Sequence, residues 1–180
     1  MPVTPFHLGP GAALKSFAPR HFSFALFFFT QILIDLESLF LFMNNSWPVH
    51  RFFHSYLGAT VVVVISIFTG RPICRWCIKK WNRKLSKKQA KWLYIDPVIS
   101  LKSAITGSVL GGYSHIFLDS IMHSDIKPFS PFTGKNGLYG IITLDQLDLF
   151  CLLSGVAGVL ILFGYRMMKT NRSGAARSEG

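Results

Sequence analysis

Four long apolar stretches constrain this chain more than any other feature: roughly Phe22 to Met43, Phe53 to Thr69, Ile99 to Met122 and Leu147 to Met168. A hydrocarbon core about 30 Å thick needs about 20 apolar helical residues, so the first, third and fourth stretches are long enough, and the second is near the lower limit of about 17. Inside lipid every backbone N–H and C=O must find its partner within the chain, so stretches of this kind fold as helices. Half of the 180 residues are hydrophobic, 17 are Phe and only 15% are charged, a balance that fits an integral membrane protein better than a soluble domain. The expectation is an all-α, polytopic membrane helical bundle of about four transmembrane helices plus a short N-terminal helix. It forms a single domain over residues 1–170, followed by a Ser-, Gly- and Ala-rich tail at 171–180 that reads as disordered. The opening residues carry neither the basic n-region nor the small-residue cleavage site of a secretory signal.

Charge orients the bundle. Of a net +11, nine Lys or Arg and no acid lie between Arg71 and Lys91, and Arg166, Lys169, Arg172 and Arg177 follow Gly164. The loops after Asn44 and Ser124 hold only Arg51, and Lys127 with Lys135. The positive-inside rule therefore places the basic loop, about residues 71–95, and the C-terminus in the cytoplasm, with the other two loops outside. Most of the positive charge is then topogenic. Anionic lipid headgroups are the next partner to consider, and nucleic acid is not expected. Around Trp76 to Trp92 the basic loop reads as an amphipathic helix lying on the headgroups, and Asp96 before Pro97 reads as the start of the third helix.

Within the third stretch His115, Asp119 and His123 recur every four residues. On a helix this spacing makes one short polar stripe, each step about 6 Å along the axis. Ionisable groups at membrane depth are costly and commonly functional. His115 lies about 12 Å below the outer end of its stretch and Asp119 about 6 Å, while in the first stretch Asp35 and Glu37 lie about 12 and 9 Å below theirs. His50 and His54 flank the outer end of the second stretch. Any one of these residues is explained by a hydrogen bond between helices. Six at one level, with only Lys102 in the opposite half, point instead to metal bound in a bundle core.

The candidate ligands are thus Asp35, His54, His115, Asp119 and His123, with His7 added if Phe6 to Phe17 dips in from the outer face. If that segment lies on the cytoplasmic side, His7 is stranded. His50 reads equally well as a ligand and as a hydrogen-bonding residue, and Glu37 stays open. Nitrogen and carboxylate donors without thiolate suit Zn²⁺, with Mn²⁺ or Fe²⁺ as options, and the set has room for one to three ions. Asp119, central in the stripe, is the natural bridge between ions, and Asp35 opposite it is a ligand or general base. Such a centre suits phosphoester hydrolysis, with Lys127, His123 or Arg51 placed to hold an anionic headgroup at the mouth. Cys74 and Cys77 have metal-ligand spacing but no second pair, and no function is expected of them.

Three blocks carry a resemblance: Thr4-Pro5-Phe6-His7-Leu8-Gly9-Pro10-Gly11, His50-Arg51 with His54-Ser55, and His115 to Asp119-Ser120 with His123-Ser124-Asp125. Together they resemble a family of bacterial inner-membrane proteins described as metal-dependent hydrolases, some of them linked to LexA regulation. That family looks like a distant relative of the zinc-dependent phospholipase C and P1 nuclease superfamily, which is all-helical with a trinuclear zinc centre. The resemblance spans about Met1 to Phe132. It implies a multi-pass bacterial inner-membrane location and His7, Asp35, His54, His115 and Asp119 as direct metal ligands, with Asp119 bridging; the residues' own placement makes Asp35 and Asp119 the candidate catalytic groups. The superfamily's late His and Glu pair has no counterpart here beyond His123 and Asp125. The expected activity is hydrolysis of a phosphoester or similar bond in a lipid-like substrate near the outer leaflet, with membrane lipids as surroundings and no oligomeric state implied. The alternatives are a metal-binding or transporting membrane protein, which requires polar ligands right across the bilayer, and a structural or regulatory protein with a relict site.

Overall fold

The computed structural model describes residues 5–178, with side chains over 6–168. Among them all regular structure is helical. After a 3₁₀ turn at Pro5–His7 come α1 (Leu8–Phe17), α2 (Phe24–Met43) and α3 (Tyr56–Ile65), then a π-helical turn (Ser66–Gly70). These are followed by α4 (Arg71–Arg83), α5 (Lys87–Leu93), α6 (Leu101–Met122) and α7 (Leu144–Ser178). α7 continues through 171–178, the stretch read from composition as a disordered tail; residues 179–180 lie outside the described ones.

Among the described residues three helical segments are long and apolar enough to cross a membrane: Phe24–Met43, Tyr56–Arg83 and Leu144–Met168. This is the build of a membrane protein, with one fewer such segment than the four expected. The shortfall is α6, whose 22 residues include Gly107, Gly111, Gly112, His115 and Asp119 and which is the most enclosed of the long helices. α6 therefore exchanges apolarity for close packing. A Cβ on Gly107 would lie 2.3 Å from the Ser23 carbonyl oxygen and one on Gly111 would lie 2.6 Å from that of Phe27. With hydrogen in their place, α6 lies directly against the backbone of α2, and Asp35 comes within reach of His115.

The second span is a single helix of 28 residues that carries the basic sequence out of the bundle. Pro72 falls inside it, has no N–H to donate and crowds the carbonyl one turn back. The wider π turn at Ser66–Gly70 precedes it and accommodates the break in the α pattern. The amphipathic helix expected around Trp76 to Trp92 is in fact two helices. Lys84 to Ser86 interrupt it, and Ser86 restarts the chain with a reciprocal capping box to Gln89. Asp96 does not start the third long helix; its carboxylate accepts from Val98 N (2.8 Å), and α6 begins at Leu101 under the Ser100 cap. Arg71 and Arg75 both donate to the Ile99 carbonyl, which fixes α4 beside the start of α6.

Buried apolar side chains form layers along the bundle. Leu26, Cys74, Ile78, Ile99 and Ala104 pack at the basic end, and Ile34, Ala59, Val62 and Ile116 at mid-height. Leu118, Ile121, Leu147 and Cys151 form the layer under the opposite loops. α1 lies along α7, where a Cβ on Gly9 would sit 1.8 Å from the Cys151 carbonyl oxygen. That contact seats the N-terminal turn, and with it His7, over the end of α6.

Candidate metal centre

Asp35 of α2, His54 from the loop before α3, and His115 and Asp119 of α6 converge as one buried group with a donor atom from each within 4.8 Å of the others. His115 Nε2 lies 3.2 Å from Asp35 Oδ1 and 3.2 Å from Asp119 Oδ2. His54 Nε2 lies 3.7 and 3.6 Å from the same two oxygens. These contacts are too long or too oblique for hydrogen bonds, so Nε2 of both histidines and Oδ1 of Asp119 have no hydrogen-bond partner among the described residues. The spacing fits a different bond. Four N and O donors about 2.0–2.1 Å from a tetrahedral Zn²⁺ stand about 3.4 Å from one another.

Electrostatics favours the same reading. Two carboxylates buried in an apolar bundle are expensive unless a cation neutralises them. Among the described residues their ionic partners are all histidines, with no Lys or Arg. Burial disfavours charge on His54, yet Asp35 and Glu37 beside it push its imidazole up to about 9. That field attracts a proton, and it attracts a divalent cation more strongly.

Local sequence explains the aim of each donor. The Ser55 hydroxyl accepts from Gly58 N (3.0 Å) and caps α3, so His54 stands just outside the helix and its ring turns into the bundle. Glu37 Oε2 accepts from Phe53 N (2.8 Å) and stands 3.8 Å from His54 Nδ1. The Ser38 hydroxyl, bonded to the Val49 carbonyl, lies 3.4 Å from the same Nδ1. Holding Nδ1 in this way leaves Nε2 facing the carboxylates, as the outer partners of metal-bound histidines commonly do. Tyr56 N donates to the Pro128 carbonyl (2.8 Å) and binds this loop to the one after α6.

His7 joins the site from the side. Its Nε2 lies 3.4 Å from Asp119 Oδ1, and its Nδ1 lies 3.4 Å from His115 Nδ1. His7 therefore shares the level of the other histidines and is not stranded from them. Burial keeps its imidazole neutral, down to about 4, although Asp119 pulls the other way. Asp119 presents one oxygen to His54 and His115 and the other to His7.

His123 stands apart from these four donors, since α6 ends at Met122 and His123 turns away in extended backbone. It forms a second group with His50 and Asp125. The His50 and His123 rings stack at 4.5 Å, and His50 Nδ1 meets Asp125 Oδ1 at 2.9 Å. The His50 ring is also 4.7 Å from that of His54, so the second group adjoins the first. Burial tends to raise the Asp125 carboxyl, but the hydrogen bond with His50 brings it below the usual carboxylate range. The sequence left His50 open and offered Asp125 only as a distant substitute. Their pairing across 75 residues has no local signal, whereas Glu37, two residues from Asp35 in an apolar stretch, does carry one. Arg51 is turned back on its own loop, donating to the carbonyls of Pro48 and Trp47. Cys74 is buried, Cys77 is exposed and both are free thiols. No family model matches the chain, and no curated protein or solved structure matches it.

Proposed function

We propose that the chain is a membrane-bound, metal-dependent hydrolase acting on a phosphoester or similar bond of a lipid-like substrate. The observation that carries this reading is the group of Asp35, His54, His115 and Asp119, buried with unsatisfied donor atoms and, among the described residues, no Lys or Arg counter-charge. The donor set fits Zn²⁺ best, with Mn²⁺ or Fe²⁺ as alternatives. A second ion would fall to His50, His123 and Asp125, with His7 and the outer oxygen of Asp119 between the two groups. When bound, such ions supply an acidified water and charge neutralisation at the phosphoryl oxygens.

The protein's own groups divide the remaining work. Asp119 holds both sides of the centre, while His54 is fixed from behind by Glu37 and Ser38. Asp35, with 11% of its side chain exposed against 4% or less for its three companions, is the group that incoming solvent or substrate meets first. It is placed to accept a proton from the attacking water. The apolar faces around the site favour an amphiphilic substrate entering from the bilayer, with the basic loop and the C-terminus in the cytoplasm of a bacterial cell and the site under the outer leaflet. Transport of metal is the weaker reading, because from α2 and α6 towards the basic end no His, Asp or Glu continues the path beyond Asp35 and His115.

The test is metal analysis of the purified protein beside Asp119→Ala, together with phosphate release from short-chain phospholipids. At least one equivalent of metal in the native chain, its loss in the variant and metal-dependent release are expected. Absence of metal, or equal metal in both proteins, overturns the reading.

A further inference from the structure

At the opposite end of the bundle from the His and Asp groups a cavity of about 800 Å³ opens between α1, α7, the loop before α6 and the starts of α2 and α6. This size lies within the range of about 300–1,000 Å³ usual for small-ligand sites. Its walls are apolar, formed by Phe22, Ile99, Val159, Leu162 and Phe163, and they continue onto the exposed face of α7, where Val159 and Phe163 are more than half exposed. Its mouth is cationic. Lys15 Nζ donates to the carbonyls of Pro19 (2.6 Å) and Phe22 (2.8 Å), which holds the ammonium at the rim with a proton to spare. Arg166 donates to the carbonyls of Trp92 and Tyr94, and Trp92 stacks on Phe163 at 5.1 Å, so the loop after α5 roofs the cavity. Arg20 is exposed at the mouth with no side-chain partner among the described residues. Asp96 is the only acid on the lining, and one of its oxygens already accepts from Val98 N.

We propose that this cavity binds one anionic glycerophospholipid, its phosphate between Lys15 and Arg20 and an acyl chain along Val159, Leu162 and Phe163 onto α7. Lys15 and Arg20 against one engaged carboxylate select an anionic head over a zwitterionic one. An apolar wall continuous with the lipid-facing surface selects an amphiphile over a free anion. The site is independent of the metal centre and of the hydrolase reading, since none of its residues belongs to either His and Asp group. It also differs from headgroup attraction to the basic helix α4, which contributes only Ile78 to the lining.

The experiment uses the delipidated full chain in detergent and native mass spectrometry, with equimolar phosphatidylglycerol and phosphatidylcholine of matched chains, and inorganic phosphate in a separate arm. One phosphatidylglycerol per chain is expected, preferred on the order of tenfold, with Arg20→Gln lowering that preference roughly fivefold. Arg20 is exposed, so its replacement leaves folding intact, and Val159→Trp is expected to block the acyl chain and weaken both lipids. Lys79→Gln with Lys80→Gln on α4 serves as the control and should leave the preference unchanged. Equal binding of the two lipids overturns the proposal. So does a preference that survives Arg20→Gln but is lost in the α4 control, or displacement of the lipid by millimolar phosphate alone.

Discussion

Replacing Asp119 by Asn should cost far more stability with metal than without. The substitution keeps shape and removes one charge from a side chain that is 4% exposed, lying between His7 on one oxygen and His54 and His115 on the other. Without a cation, Asp119 and Asp35 are two carboxylates in an apolar core. Desolvation costs several kcal/mol per buried ion, but His54, whose imidazole is pushed up to about 9, is a buried partner for Asp119, so the two effects largely offset and the chelated variant should lie within about 1 kcal/mol of the native protein. At about 2–4 °C per kcal/mol for a chain of this size, the two should melt within a few degrees of each other. With metal the difference is larger. Losing a direct ligand should weaken binding at least about a hundredfold, which removes about 2.7 kcal/mol of ligand-linked stability at a free metal concentration that saturates the native site. Thermal unfolding in detergent, first with chelator and then across a titration of free Zn²⁺, reads both effects. The native protein should gain about 1.4 kcal/mol per decade of free metal for each ion bound, and the variant should stay flat. If Asp119→Asn destabilises the chelated and the loaded protein equally, Asp119 is a structural acceptor and the metal reading fails.

Other outcomes follow from the same contacts. Glu37→Gln keeps an acceptor for Phe53 N but removes the charge beside His54, so metal affinity should fall about 10- to 100-fold with little loss of fold; an unchanged affinity by competition with a chromophoric chelator would remove Glu37 from the site. Gly9→Ala places a methyl against the Cys151 carbonyl, which should cost about 1–3 kcal/mol and withdraw His7; the melting curve reads the first effect and metal affinity the second. Metal affinity should fall as pH drops below about 9, because the proton that Asp35 and Glu37 hold on His54 then competes with the ion, while His7 stays neutral down to about 4. Occupancy that is flat from pH 8 to 5 would contradict a histidine-rich centre. Exposed Cys77 should react with a membrane-impermeant maleimide in inverted vesicles and not in intact cells; labelling of intact cells would reverse the orientation.

The apolar stretches made the helical bundle legible, because their lengths and the bilayer's demand for internal hydrogen bonding leave few alternatives. The helical step from His115 to Asp119 and the matching depth of Asp35 made the centre of the site legible too. Helix breaks were less visible: the Ser86 capping box dividing α4 from α5 is short and polar within a polar run. α6 was read as one span among four, although its glycines trade hydropathy for contact with α2. Depth along separate helices cannot report rotation about their axes, so the partition of six ligands into a group of four, a flanking His7 and a second group around His123 required the fold. The pairing of His50 with Asp125 depends on how the loops after α2 and α6 meet, and neither loop announces its partner.

The seating of α1 on α7 sets an order of events during synthesis. His7 leaves the ribosome well before the surface that holds it, which belongs to a helix made more than 130 residues later. Asp35, His54, His115 and Asp119 are all inserted before that helix arrives, so a partly made chain can hold a cation but has no His7 to close its side. The finished geometry is therefore reached only once α7 has been made.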